Sequence, residues 1–187
     1  MHPKSFVSNF WGAVHAGRFF SYIRSMKTIR KSTLADIPEM LRIYSRAKAA
    51  MRASGNNSQW TGPYPGAEAA KADIARGWSH IVEVDGHAAG TFCLMDAPEP
   101  TYSGGNCTWL SDAPYLTLHR VASDGSTGGI LAAAVGFAAE RGLDIRIDTH
   151  ADNAPMRHLL PTLGFTLCGT IYLADGSPRL AYHRLAR

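Results

Sequence analysis

The chain has 187 residues, 45% of them hydrophobic and 18% charged, which suits one globular domain with a full core. The net charge is +4, but Lys4, Arg18 and Arg24 place +3 of it in residues 1–25, which hold no acid, and leave +1 for the remainder. That balance gives no clustered basic face and argues against a nucleic-acid partner. The three widely spaced cysteines, Cys93, Cys107 and Cys168, show neither metal-ligand spacing nor a disulfide framework and point to a cytoplasmic setting.

Residues 1–25 are aromatic and basic, and Asn9, His15 and Arg18 break every apolar run. That is a poor signal peptide and too polar to span a bilayer. Three readings stay open: translation beginning at Met26, so that residues 26–187 are the domain; an extension outside the fold; or a membrane-surface helix, the least favoured.

From Thr28 to Lys31 the residues suit a short strand. Ser32 or Thr33 can then cap a helix with Asp36, Pro38 and Glu39 in its first turn and Leu34, Ile37, Leu41, Tyr44 and Met51 as its apolar stripe. Residues 53–66 break the pattern and form a loop holding Gln59, Trp60 and Tyr64. Trp60 and Tyr64 either line a ligand site or plug the edge of the core. A second helix fits Ala67 to Arg76, and a hairpin follows, Ser79 to Val84 and His87 to Met95, around Asp85-Gly86. The long loop after it, residues 97–114, offers Tyr102 and Trp109 as ligand contacts or as core packing.

The segment Tyr115 to Asn153 reads as strand, glycine-rich loop, alanine-rich helix closed by Gly142, strand and polar turn. Such a loop aims backbone N–H groups and a helix N-terminus at an anion, usually a phosphate. No lysine makes it a Walker loop, and its spacing differs from G-x-G-x-x-G. A short helix over Pro155 to Leu163 ends at Gly164, and a last strand pair covers Phe165 to Leu173 and Leu180 to Arg184.

With LHRVASDGSTGGILAAAVGFAAERG followed by IRIDTHADNAPMRHLLPTLGF, the chain resembles the GNAT N-acetyltransferase superfamily over about Thr28 to Leu185. The resemblance implies an α/β (α+β) fold: a mixed, mostly antiparallel, twisted sheet of six to seven strands flanked by helices, its central strands splayed to hold acetyl-CoA. It implies pyrophosphate contacts along Gly125, Ser126, Thr127, Gly128, Gly129 and Ile130, and strand-like pairing of the pantetheine with Val121 and Ala122. Asn153, with Met156 beside it, falls where the family holds the pantetheine arm. The loop lacks the family's leading Gln or Arg, so contacts are assigned to a segment. The family's frequent tyrosine, which protonates the departing thiolate, falls on Leu160, which cannot.

The implied reaction is direct attack of a primary amine, from a small molecule or a peptide, on the thioester. Its proton needs an acceptor, for which His119 and His150 are the candidates, and Tyr172 is a candidate acid; each histidine also has a structural reading. Trp60, Tyr64, Trp109 and Asp148 are the candidate acceptor-binding residues. A non-catalytic acyl-CoA-binding module is the alternative. The acceptor is not legible, and the oligomeric state stays open, a homodimer included.

Overall fold

The computed structural model describes residues 26–187, so the expectations for residues 1–25 lie outside the described residues. Strands β1 (Lys27–Lys31), β2 (Ser79–Val84), β3 (His87–Met95), β4 (Asn106–Cys107), β5 (Tyr115–Ser123), β6 (Asp144–Thr149), β7 (Thr166–Tyr172) and β8 (Pro178–Arg184) form a single sheet. Its order is β1-β2-β3-β5-β6-β8-β7-β4, and only β5 and β6 run parallel. The expected six to seven strands become eight because a two-residue strand, β4, forms inside the long loop.

Helices α1 (Ile37–Ala53) and α2 (Ala67–Ala75) cover one face, where Met40, Ile43, Tyr44, Ala47, Ala70, Ile81 and Ala122 pack together. Helices α3 (Ile130–Ala139) and α4 (Ala154–Thr162) belong to the other, larger core with Phe92, Leu118, Ile145, Ile147 and Phe165. The stripe of α1 departs from the sequence expectation. Met40, Ile43, Tyr44 and Ala47 are buried, at helical spacing, whereas Leu34 and Leu41 are exposed. A turn of 3-10 helix precedes α1, where the Thr33 amide donates to Asp36 Oδ2 at 2.7 Å. Helix α3 approaches the sheet closely: Ala134 and Ala138 are fully buried, and a Cβ at Gly90 of β3 would sit 2.5 Å from Ile130 Cγ2.

Two irregularities position the site. The β5–β6 pairing stops at Leu118 and Ile147, although β5 runs on to Ser123. The β5 edge beyond Leu118 therefore has no ladder partner on that side. On its other side β5 carries a bulge: Cys93 pairs with His119 and Thr91 with Ala122, so two steps of β3 face three of β5. Arg120, at φ +50°, is the residue that accommodates it. The extra residue reverses the inward face: Leu116 and Leu118 point into the α3 core, whereas Ala122 points into the α1 core.

Candidate active site

The bulge and the splay open two clefts. The first, about 410 Å³, runs from Val121 and Ala122 past Thr127, Gly128, Gly129 and Ile130, with Ala47 and Met51 of α1 on one wall and Met156 and Leu159 of α4 on the other. The second, about 460 Å³, holds Gln59, Trp60 and Tyr64 of the 53–66 loop, Glu99 and Thr101, and His119, Arg120 and Asp148. Met51, Val121, Asn153 and Met156 line both, so the clefts meet at the end of the β5 splay.

The glycine loop is pre-shaped by its own side chains. Asp124 Oδ1 accepts from the Ser126 amide at 2.9 Å and from its hydroxyl at 2.6 Å, an Asx turn. Arg42 of α1 bonds Asp124 Oδ2 at 2.9 Å. Burial works against its charge, yet the Ser126 and Arg42 bonds hold the Asp124 carboxyl below its usual range. The Gly125 amide donates to Ser123 Oγ at 3.1 Å. The Gly125 and Ser126 amides are thus used inside the loop, and neither residue lines the first cleft; this corrects the expectation that both face the ligand. The segment that does face it is Thr127–Ile130, where Gly129 at φ +77° turns the chain into α3 and the first-turn amides have no intrahelical acceptor.

At the junction, Asn153 caps α4, its Oδ1 accepting from the Met156 amide at 3.2 Å. Its Nδ2 donates to Gln59 Oε1 at 3.1 Å, and Asn56 Nδ2 donates to the same oxygen at 3.0 Å. The 53–66 loop is thereby fastened to α4 across the meeting point.

In the second cleft, His119 Nε2 lies 3.0 Å from Glu99 Oε2, and its Nδ1 lies 3.7 Å from Asp148 Oδ1. Tyr102 donates its hydroxyl to that same Asp148 oxygen at 2.8 Å. The His119 bond holds the Glu99 carboxyl down to about 2, helped by the Thr101 amide and hydroxyl. Burial holds the Tyr102 phenol well above its usual range, so it remains a donor. Beside this group, Arg120 Nε and Nη2 each lie 2.7 Å from an Asp73 oxygen, and Nη1 donates to the Tyr64 hydroxyl at 2.9 Å. This planar pairing ties α2 to the β5 bulge.

Of the expected site residues, the structure gathers His119, Asp148, Trp60 and Tyr64 in one cleft and Val121, Ala122, Thr127, Gly128, Gly129, Ile130, Asn153 and Met156 along the other. Besides Gly125 and Ser126, it leaves three outside both. His150 sits past the end of β6, its Nδ1 accepting from the Asp152 amide at 3.1 Å. Tyr172 is exposed on β7, a strand separated from β6 by β8. Trp109 is a packing residue: its Nε1 donates to Tyr102 O at 3.0 Å, and the Arg146 guanidinium lies 4.2 Å from its ring centre. Leu160, at the family tyrosine position, is fully buried in the α3–α4 core. Glu99, Arg120 and Asp73 escaped the sequence reading. The signal for Arg120 was present, because an arginine follows Leu116 and Leu118 at the inward spacing of the strand. Glu99 carried no signal beyond the length of its loop.

A GNAT-family acetyltransferase from Streptococcus agalactiae matches with a TM-score of 0.76 and 31% identity, over 86% of this chain and 96% of its own. This chain belongs to the GNAT family. Acetyl-CoA-dependent acyl transfer is therefore its general activity. The GNAT fold is also shared with a Listeria monocytogenes family member, at 19% identity, TM-score 0.61 and 85% and 94% coverage of this chain and that one. The ribosomal-protein-S18-alanine N-acetyltransferase of Escherichia coli has the same fold, at 16% identity, TM-score 0.58 and 87% and 96% coverage. No protein-family model and no curated protein matches the chain. No helix among the described residues is long and apolar enough to cross a membrane.

Proposed function

We propose that this protein transfers an acetyl group from acetyl-CoA to the primary amine of a small molecule or peptide by direct attack, with His119 as the proton acceptor. The observation that carries the reading is the meeting of the two clefts at Val121 and Asn153, with His119 lining the second of them. The first cleft fits acetyl-CoA. A Cβ at Gly128 would meet nothing within 4 Å, so the backbone there is open to a phosphate. The unpaired β5 edge at Val121 and Ala122 suits an amide-rich arm. When bound, acetyl-CoA supplies a thioester, an acyl group open to attack by an amine.

The second cleft then serves the amine. An alkylamine arrives mostly as an ammonium ion, which Asp148 attracts. In the tautomer that donates Nε2–H to Glu99, the uncharged ring keeps its Nδ1 lone pair on the side of Asp148. That nitrogen takes the amine proton, and the Glu99 carboxylate stabilises the resulting imidazolium. Leu160 offers no proton to the leaving thiolate, and a thiol with a reference pKa of about 8.5 leaves tolerably without one.

The test is free-thiol release from acetyl-CoA against amino acids, polyamines, aminoglycosides and peptides. His119→Ala is expected to lower kcat by about 100-fold or more while the affinity for CoA stays within about twofold. Full turnover in that variant removes His119 from the mechanism. Tight acetyl-CoA binding with no acceptor turned over would instead favour an acyl-CoA-binding module.

A further inference from the structure

The second cleft is lined by charges of both signs, its carboxylates more buried than two of its arginines. Asp148 and Glu99 have side chains only 10% and 15% exposed. Arg76 is exposed at the end of α2, and Arg179 is half-buried near the start of β8. Neither arginine has a carboxylate within ion-pair distance among the described residues. Arg76 lies 5.3 Å over the Trp78 ring and makes one bond, Nη1 to Ala72 O, at 3.3 Å. Arg179 makes one, Nη1 to Pro178 O, at 2.8 Å. Asp175, in the same hairpin, accepts the Ser177 amide and hydroxyl at Oδ1 and feels Arg179 only through space, without a direct bond. The third arginine of the cleft, Arg120, is already matched by Asp73.

A guanidinium has five N–H donors in a planar fork. Two such groups with one local bond each, in a cleft whose buried carboxylates attract an ammonium ion, offer a complement to both signs of charge. We propose that the acceptor is an amine that also carries a carboxylate, an amino acid or a similar zwitterion, with its ammonium at Asp148 and its carboxylate at Arg179 and Arg76. The inference rests on the acetyl-transfer reading above and names its substrate class. It also gives the arginines a purpose that a simple alkylamine would not use, and they would repel the second ammonium of a diamine.

The experiment compares matched acceptors: leucine, leucinamide and isopentylamine, and γ-aminobutyrate, γ-aminobutyramide and butylamine. The carboxylate member of at least one set is expected to show kcat/KM about tenfold or more above its partners, the ratio one charge-assisted hydrogen bond supplies. In Arg179→Gln and Arg76→Gln that ratio should fall toward one; Arg76 is exposed and Arg179 half-buried, each with a single local bond, so neither change threatens folding. Binding of the same acceptors to the CoA-loaded protein, followed by the fluorescence of Trp60 and Trp78, gives a readout that does not need turnover. Tighter binding of the carboxylate members without acetylation would uphold recognition of a zwitterion in this cleft while the proposed reaction falls. Turnover of all members at equal rates, or a preference that survives both substitutions, overturns the inference and leaves the reaction standing. Failure of every amine both to bind and to react overturns both.

Discussion

Arg120 sits in the left-handed region at φ +50° and still makes a two-point ion pair with Asp73, a residue only 4% exposed. Removing one partner of a buried pair leaves the other charge unmatched, which costs about 3–5 kcal/mol. Arg120→Ala should therefore lower the unfolding free energy by about 3 kcal/mol in urea denaturation, and Asp73→Asn with Arg120→Ala together should cost less than the two singly. A second residue-scale prediction concerns Glu99. The His119 bond is the largest cause of its lowered pKa, about 2 against an ordinary 4.5. A carboxyl whose folded pKa is depressed stabilises the fold above its unfolded pKa, and loses that contribution as pH falls from about 4.5 toward about 2. In His119→Ala the largest cause is gone, so the contribution should shrink and its pH window should narrow from the low end. Carbon-13 NMR of the Glu99 carboxyl would read this as a midpoint moving up toward the ordinary range; an unmoved midpoint would show that the Thr101 bonds alone hold the charge.

Among the elements, the glycine loop and α3 are proposed to carry the donor side, and a substitution there separates folding from binding. Gly128 has no left-handed φ, and a Cβ there would meet nothing within 4 Å. Gly128→Val is expected to leave stability within about 0.5 kcal/mol, as a surface substitution does. It should weaken CoA binding by about tenfold or more, because the branched side chain fills the space a phosphate needs. Calorimetric titration beside a thermal melt distinguishes this from unfolding, and unchanged affinity would move the phosphate elsewhere on the loop. The loop, α3 and the strands on either side were legible in the sequence because glycine spacing and period-two apolar patterns are local properties. The stripe of α1 was less so: Leu41 and Met40 are both apolar, and only contact with Ile81 and Ala122 decides which faces inward. The second cleft was least legible. Its His119–Glu99 contact joins residues 20 apart and its Arg120–Asp73 contact joins residues 47 apart, each created by a bulge or loop that no local pattern encodes.

At the scale of the whole molecule, the question is whether the acyl group passes through the protein or moves directly between its two substrates. A covalent relay needs a nucleophile, and the cysteines are poorly placed for it. Burial pushes the Cys93 thiol up to about 12 and the Cys107 thiol up to about 11, and it raises that of Cys168 too. Thiolate is thus scarce at neutral pH, and none of the three lines either cleft. The clefts instead meet at Met51, Val121, Asn153 and Met156, so both substrates can be present at once. Initial-rate kinetics should therefore give intersecting lines in double-reciprocal plots, with no acetyl adduct on the intact protein by mass spectrometry. Parallel lines together with such an adduct would establish a covalent relay and sink direct attack. The same geometry predicts the behaviour of a conjugate in which CoA is joined through a short acyl bridge to the acceptor amine. Filling both clefts with one molecule makes the second contact intramolecular, so its affinity should exceed that of CoA by about 100-fold or more. Asn153→Ala should shrink that gain more than it weakens CoA alone, because Asn153 also fastens Gln59 and with it the loop carrying Trp60 and Tyr64. Equal losses for the conjugate and for CoA would mean that the two clefts bind independently, and that the junction is only a shared wall.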